Sequence, residues 1–354
     1  MSDFNPDMLI LARESRGWYQ GELAEAASLQ QGTVSKVESG ALVPSAETVD
    51  RFAEKLRYPR SLFFQPDRVY GFNSTVFFHR KRQSLPDKTL RKLHAHMNLT
   101  RMRVTRLLRS TEILSACRFQ RIDLAEYRNS VETVARLVKS TWLIPSGPVR
   151  NVTRAIEDAG GIVVAVDFET RQIDAISEWV PPFPPIFVIN SNSDITGDRL
   201  RLTLAHEIGH SVMHQFPSAT MEEEANRFAA EFLMPAREIK PSLYSLTFAK
   251  LIDLKAQWKV SMAALVQQAA SLKTISPDQK KYMFMNLGKR GWRLREPEYT
   301  DIPIERPELF ASLIQVHLSE LQYTPGQLAN AVMLMNEQEF RDSYMQEGKL
   351  RLVG

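Results

Sequence analysis

The spacing of apolar and polar residues divides the chain into four regions. Residues 8–64 show short helical patterns interrupted at Gly17, Gly40 and Pro44, and a longer helical pattern continues to about residue 140. Between residues 147 and 190, VTRAIEDAGG predicts a helix closed by glycines, whereas GIVVAVDF and PPIFVIN predict buried strands. From residue 195 onward the pattern is again helical. The sequence therefore predicts a mostly helical α+β protein with a small sheet.

These changes of pattern suggest domain boundaries. We expect a helical N-terminal domain at residues 1–70, a basic helical linker at 71–140, a domain with the small sheet at 141–297 and a C-terminal helical region at 298–354. A chain of 354 residues with 44% hydrophobic residues is long enough for two or three domains. The C-terminal region predicts helices in PELFASLIQVHLSEL and TPGQLANAVML but carries no recognisable chemistry.

Composition indicates the cellular compartment. The single cysteine, Cys117, excludes an intrachain disulfide, which suits a reducing environment. The sequence contains no apolar run of about 18 residues, the length needed to cross a bilayer. The start, MSDFNPDMLI, carries acidic residues where a signal peptide carries lysine or arginine. We therefore expect a cytoplasmic protein with no membrane partner.

Charge is distributed unevenly although the net value is only +4. Residues 1–70 contain eight basic and ten acidic residues, whereas the basic segment, residues 80–109, contains ten basic residues and one acid, Asp87. This segment is a candidate surface for a polyanion. Two alternatives are a solvated helix face and a helix that docks on the protein's own acidic groups. The ten basic residues are Arg80, Lys81, Arg82, Lys88, Arg91, Lys92, Arg101, Arg103, Arg106 and Arg109.

The stretch LTLAHEIGHSVMHQF, residues 202–216, contains the most specific chemistry. His206 and His210 are four residues apart, so on a helix they lie on one face and can bind one cation. Glu207 follows the first histidine, which gives the H-E-x-x-H arrangement of zinc peptidases with the glutamate as general base toward the attacking water. Phe216 stands where a metzincin would have its third histidine, so that subclass is excluded.

A third zinc ligand is expected downstream, in MEEEANRFAAEFLMP. A helix here would place Glu222 at the edge of its buried stripe, with Glu223 toward solvent and Glu224 on the opposite flank. Asn226, one turn after Glu222, is a candidate to hydrogen-bond the outer nitrogen of a zinc histidine. The buried stripe would comprise Ala225, Phe228, Ala229, Phe232 and Leu233.

Several neighbouring residues admit structural interpretations. We expect His214 to be a helix-end residue or a hydrogen-bond partner behind the metal ligands, and Arg201 to pair with an acid. The alternative for the whole stretch is a chance H-E-x-x-H match whose histidines are satisfied core residues. The matching helix with Glu222 and Asn226 makes that alternative the weaker one.

In combination, IDAIS, FVIN, RLTLAHEIGHSVMH and EEEANRFAAEFLMP resemble the ImmA/IrrE family of zinc metallopeptidases, over roughly residues 147–297. The resemblance implies a compact zincin-like fold with a short sheet packed on the H-E-x-x-H helix. It also implies a zinc ion held by His206, His210 and Glu222, with Glu207 as the base, and a role in cutting DNA-bound repressors of the helix-turn-helix type.

Residues 8–64 closely resemble the XRE class of helix-turn-helix domains, with Leu23, Ala24, Val34, Val37 and Phe52 as expected core positions. The resemblance implies that Gln20 anchors to phosphate, that a recognition helix runs from about Gln30 to Ser39, and that Arg13 and Glu38 form a buried ion pair. The candidates for base and phosphate contacts are then Gln20, Gln30, Gln31, Thr33 and Lys36.

Two functional hypotheses follow from these motifs. The first is a zinc-dependent endopeptidase, coupled to a domain that binds operator-type DNA, which cleaves a helix-turn-helix repressor and is a possible homodimer. The second is a transcription regulator whose peptidase-like half only senses or binds. The helix-turn-helix fold also serves as a protein–protein module, and the acidic balance of residues 1–70 favours weak DNA binding by that domain alone.

Overall fold

The computed structural model describes residues 3–70, 85–115, 117–191 and 195–345. Within these residues the chain is mostly helical and has one three-stranded sheet, which confirms the predicted α+β class. The chain forms two compact units. The first comprises the described residues up to 113 together with 309–345, and the second comprises those between 114 and 308.

The described residues form helices along most of their length, with the three strands near the middle of the chain. In chain order, the α-helices are α1 (Pro6–Ser15), α2 (Gln20–Ala26), α3 (Gln31–Glu38), α4 (Ala46–Leu56), α5 (Asp87–Leu107), α6 (Val131–Thr141), α7 (Val152–Asp158), α8 (Gly197–Met213), α9 (Met221–Leu233), α10 (Ala236–Ile239), α11 (Phe248–Trp258), α12 (Met262–Ser271), α13 (Pro277–Lys289), α14 (Leu309–Ser319), α15 (Pro325–Gln327) and α16 (Glu337–Tyr344). The strands are β1 (Ile162–Val166), β2 (Ala175–Glu178) and β3 (Ile186–Asn190).

Helix α5 belongs to the core of the first unit. Its residues Ala95, Leu99 and Met102 are buried with the apolar faces of α1–α4, and Leu334 from the C-terminal segment joins the same core. The compact units therefore differ from the predicted boundaries: residues 85–113 pack with the N-terminal helices, and residues 114–140 pack in the second unit. The physical reason is that α5 buries apolar side chains there instead of exposing them as a linker would.

The second unit contains the sheet, with strand order β1-β3-β2. Strand β1 pairs with β3 in parallel, with Ile162 opposite Ile186, and β2 pairs with β3 in antiparallel fashion, with Ala175 opposite Ile189. The pattern predicted β1 and β3 because both are continuous apolar runs. The predicted glycine-closed helix is α7, after which Gly160 adopts φ +83°.

Helices α8 and α9 pack closely, and a glycine allows the close approach. A Cβ placed on Gly209 would lie 3.1 Å from Cβ and Cγ of Phe228 on α9. Such a distance is tighter than ordinary packing, so a larger residue would push the two helices apart. All five predicted stripe residues of α9 are buried, as expected. Among the described residues no helix combines the length and apolar character needed to span a membrane.

Candidate functional site

Three side chains of α8 and α9 bring their donor atoms together. His206 and His210 lie one turn apart on α8, with their Nε2 atoms 2.9 Å from each other. Glu222, in the first turn of α9, places Oε1 3.3 Å from His210 Nε2 and Oε2 3.8 Å from His206 Nε2. These are the three predicted metal ligands, and they form the one group of at least three metal-capable side chains found in the described part of the chain.

The spacing of these donors fits zinc. In a tetrahedral site with zinc–ligand distances of about 2.0–2.1 Å, two ligands lie roughly 3.3 Å apart. The three distances of 2.9, 3.3 and 3.8 Å lie on both sides of that value. Two imidazoles and one carboxylate are also the ligand set of catalytic zinc sites that keep one position open. We refer to His206, His210 and Glu222 as the His–His–Glu cluster.

The outer nitrogen of His206 has the partner that the sequence suggested. Its Nδ1 lies 3.1 Å from Oδ1 of Asn226, which is exposed on α9 one turn after Glu222. Because the amide oxygen can only accept, Nδ1 carries the proton, which leaves the Nε2 lone pair directed into the cluster. The amide therefore favours the tautomer that a metal ligand needs.

The outer nitrogen of His210 is held by a chain of two hydrogen bonds. His210 Nδ1 lies 2.9 Å from His214 Nδ1, and His214 Nε2 lies 3.0 Å from Oε2 of Glu224. The carboxylate accepts from Nε2, so Nδ1 of His214 accepts from Nδ1–H of His210, and the Nε2 lone pair of His210 is again directed into the cluster. Burial lowers the pKa of His214, against the opposing effect of Glu224.

The predicted position of His214, behind the metal ligands, is confirmed. The predicted position of Glu224, on the opposite flank of α9, is wrong, because its carboxylate binds His214. A signal was present in the sequence, because His214 continues the four-residue spacing of His206 and His210 along α8. A carboxylate partner for that third histidine was the natural expectation. Glu223, by contrast, is exposed as predicted.

Glu207 lies beside the cluster and is almost fully buried, with 3% of its surface exposed. Ser177 Oγ, on β2, donates a hydrogen bond to Glu207 Oε2 at 2.5 Å. The serine therefore orients the carboxylate from the sheet side. Ser177 falls in the IDAIS motif, but sequence reasoning assigned it no individual role, because the antiparallel pairing that brings β2 to α8 is a tertiary feature.

Arg201 has the structural role that was expected of it. It is buried and its Nη1 donates to Glu305, while Nη2 donates to the carbonyl of Val149 at 2.6 Å. Glu305 also accepts from the backbone N–H of Val152 at the start of α7. This network ties α8 to α7 and takes no part in the cluster.

A cleft of about 950 Å³ is lined in part by Glu222 of the His–His–Glu cluster. Glu222 and Asn226 line one end, and the cleft continues along α9 toward α12. At its rim Arg227 binds Glu132 through two hydrogen bonds of 2.9 Å. Most of the remaining lining is apolar or uncharged and includes Leu202, Ala230, Met234, Ala264, Gln268 and Leu272. Two further carboxylates, Glu223 and Glu231, also line the cleft. A groove of this size and character suits an extended peptide segment.

The first unit contains the predicted helix-turn-helix. Helix α3 runs from Gln31 to Glu38 with Gln30 as its N-cap, close to the predicted recognition helix. The predicted ion pair is present and buried: Arg13 donates to both carboxylate oxygens of Glu38, at 2.5 and 3.0 Å. This pair joins α1 to the end of α3.

Two of the predicted DNA-contact residues are linked to each other. Gln31 Nε2 donates to Gln20 Oε1 at 2.8 Å, and Gln20 Nε2 donates to Glu38 at 2.8 Å. These hydrogen bonds connect both glutamines to Glu38 of the buried ion pair, which fixes their positions. Gln30, Gln31 and Lys36 are exposed, whereas Thr33 and Gln20 are half-buried. The DNA-contact roles of all five residues remain predictions.

Several described cations of the basic segment are paired with the protein's own groups. Seven of its ten basic residues lie in described residues, and Arg80, Lys81 and Arg82 lie outside them. Arg106 binds Asp67, Arg91 binds Asp87 and Glu14, and Lys88 binds Glu22. Of the rest, Arg101 donates to Asn98, Arg103 to the carbonyl of Met333, Lys92 is buried and Arg109 is exposed.

The cause of this pairing is the packing of α5 in the first unit, where it meets Glu14, Glu22 and Asp67. The pKa of Glu22 is lowered, first by the backbone N–H of Tyr19 and then by the Lys88 ammonium. Three of the seven described cations of the basic segment, Lys88, Arg91 and Arg106, bind the protein's own carboxylates. The third interpretation, docking on those acids, therefore fits these three residues, and binding of a polyanion by the segment stays a prediction.

Comparison with known families agrees with this geometry. Residues 9–63 match the family described as helix-turn-helix domain, and residues 156–269 match the family described as IrrE N-terminal-like domain. The chain joins these two domains. The second match contains β1–β3, the His–His–Glu cluster and Glu207. No curated protein and no solved structure is significantly similar to the chain.

Proposed function

We propose that the protein is a zinc-dependent endopeptidase coupled to a DNA-binding helix-turn-helix domain, and that it cleaves a repressor-type protein to regulate transcription. The observation that carries this proposal is the convergence of His206, His210 and Glu222 donor atoms beside a buried glutamate, Glu207. A domain with a purely structural role has no physical need for a buried carboxylate next to two imidazoles on one helix face.

Each residue has a distinct role in the proposed reaction. Zinc, when bound by the cluster, supplies Lewis acidity toward the substrate carbonyl and lowers the pKa of the attacking water. Glu207 accepts the proton from that water and delivers it to the departing amine. Ser177 holds the Glu207 carboxylate by its 2.5 Å hydrogen bond, so the group that transfers the proton keeps one orientation.

The cleft supports a polypeptide substrate. A peptide lying along α9 would pass Asn226 and reach the cluster at Glu222, with its side chains against the apolar wall. The helix-turn-helix domain implies DNA as a second partner. Its proposed role is to concentrate the enzyme where DNA-bound repressors are found, which raises the local substrate concentration without adding contacts to the active site.

The test compares the full chain with Glu207→Gln. The substitution keeps the size of the side chain and the metal ligands but removes the base, so cleavage should fall by a factor on the order of 10² or more while zinc content is retained. Because the substrate is unidentified, new protein N-termini are mapped by mass spectrometry in cells that express either form.

Termini that appear with the wild-type chain, lie in helix-turn-helix repressors and are missing with Glu207→Gln support the proposal. A chain that binds zinc and DNA but produces no such termini would instead support a regulator whose peptidase-like half senses or binds. Equal sets of termini from both forms would contradict the role of Glu207.

A further inference from the structure

Helix α13 and the turn that follows it form a strongly basic surface on the second unit. Residues 273–295 contain seven lysines and arginines and one acid, Asp278. We use the name α13 surface for Lys280, Lys281, Lys289, Arg290 and Arg293. Four of these residues are exposed and Lys280 is half-exposed.

The cations of the α13 surface have no carboxylate partner in the part of the chain that the structure describes. Among the described residues, Asp and Glu side chains form no salt bridge with any of the five cations, whereas Arg295 nearby pairs with Asp301. This differs from the basic segment around α5, where Lys88, Arg91 and Arg106 each bind a carboxylate. Within the described ranges, the α13 surface is therefore a concentration of positive charge without carboxylate partners.

Two of the five cations, Lys281 and Lys289, lie on the exposed face of α13. Met283 and Leu287 are the buried residues of α13. Lys281 and Lys289 lie two turns apart, with Met285 between them at the same spacing, so the three align on the opposite, exposed side. At 1.5 Å rise per residue the two lysine positions are about 12 Å apart along the axis.

Aromatic rings hold the arginines without removing their charge. The Arg290 guanidinium lies 4.8 Å from the ring centre of Phe248 and 5.1 Å from that of Trp292. Arg293 lies 5.7 Å from the Phe284 ring. A cation stacked on a ring keeps its full charge and loses less side-chain freedom when it binds an anion.

We propose that the α13 surface binds the phosphate backbone of duplex DNA without regard to sequence. Phosphate contacts supply most non-specific DNA affinity. The helix-turn-helix domain implies a duplex partner, yet residues 1–70 are acidic in balance and three described cations of α5 bind carboxylates of the protein itself. The α13 surface has the charge that this task requires. The inference does not depend on zinc or on proteolysis.

The experiment measures binding of the full chain to a random-sequence DNA duplex at several salt concentrations. The test variant is Lys281→Gln, Lys289→Gln and Arg293→Gln, and the control variant is Arg118→Gln, Arg237→Gln and Lys240→Gln. Both remove three exposed charges from the second unit. Each phosphate contact contributes about 0.9 to the slope of log K against log salt, so the test variant should lose up to about 2.7 units of slope.

We expect the test variant to bind at least about tenfold more weakly at low salt, and the control to retain the wild-type slope. A charge-retaining variant, Lys281→Arg with Lys289→Arg, should also keep the wild-type slope. Unchanged slope in the test variant would overturn the proposal. So would an equal loss in the control, or a loss of binding to phosphatidylserine vesicles with duplex binding intact.

Discussion

Replacing Glu224 by glutamine tests the hydrogen-bond chain behind His210. In the structure, His214 Nε2 lies 3.0 Å from the Glu224 carboxylate, and His214 Nδ1 lies 2.9 Å from His210 Nδ1. Glutamine keeps the size of the side chain and a carbonyl acceptor but removes the negative charge. The substitution therefore separates the electrostatic role of Glu224 from a packing role.

The expected magnitude follows from the contacts. A hydrogen bond to a charged group is worth about 1.5–3 kcal/mol, and loss of such a partner behind a metal ligand typically lowers metal affinity about 10–100-fold. The Glu224 side chain is 22% exposed and acts on His210 through His214, so solvent weakens its effect. We expect zinc affinity to fall by about tenfold, or about 1.4 kcal/mol.

The assay is competition for zinc between the full chain and a chelator of known affinity. Glu223→Gln is the matched control, because Glu223 is the exposed neighbour on the same helix turn and its replacement removes the same charge. Equal zinc affinities for Glu224→Gln and the wild type would refute the proposed chain of hydrogen bonds. An equal loss in both variants would show a general charge effect instead.

Three further predictions concern packing, the basic segment and pH. Gly209→Val should destabilise the second unit by about 1–3 kcal/mol and weaken zinc binding, because the valine side chain would displace Phe228 and with it α9. Urea unfolding and competition for zinc measure these two effects. No change in either measurement would contradict the prediction. Arg106→Ala should lower the free energy of unfolding by about 3 kcal/mol, because it leaves Asp67 without its partner. It should leave the salt slope of DNA binding unchanged, and a flatter slope would instead support the polyanion interpretation. Burial lowers the pKa of His96 to about 3. Between about pH 6.5 and pH 3 the unfolded chain therefore binds a proton that the folded chain does not. The free energy of unfolding should then fall with pH by up to about 1.4 kcal/mol per pH unit. Urea unfolding at pH 7 and pH 5 should show this dependence in the wild type and a weaker one in His96→Leu; identical dependence would contradict the assignment.

Much of the candidate site could be predicted because the positions of its residues along single helices determine which of them share a face. His206 and His210 share a helix face by spacing alone, and Glu222 is distinguished by its position at the edge of an apolar stripe on one helix. The same reasoning placed Asn226 one turn further along. The pattern also predicted β1 and β3, because each is a continuous run of apolar residues.

The features that escaped prediction are tertiary. Ser177 meets Glu207 only because β2 pairs antiparallel with β3, and no pattern in its four residues fixes that register. Glu224 was misplaced because the position of α9 against α8 decides which of its flanks faces His214. Charge alone could not show that Arg106 would bind Asp67, since the fold brings these residues together.

The number of zinc ions bound per chain tests the central claim most directly. The purified full chain, stripped of metal and titrated with zinc, should bind one zinc ion at the His–His–Glu cluster. Glu207→Gln should bind the same amount, because Glu207 is the base and not a ligand, whereas His206→Ala and Glu222→Ala should bind far more weakly. A wild-type chain that holds no zinc and takes up none on addition would contradict the account.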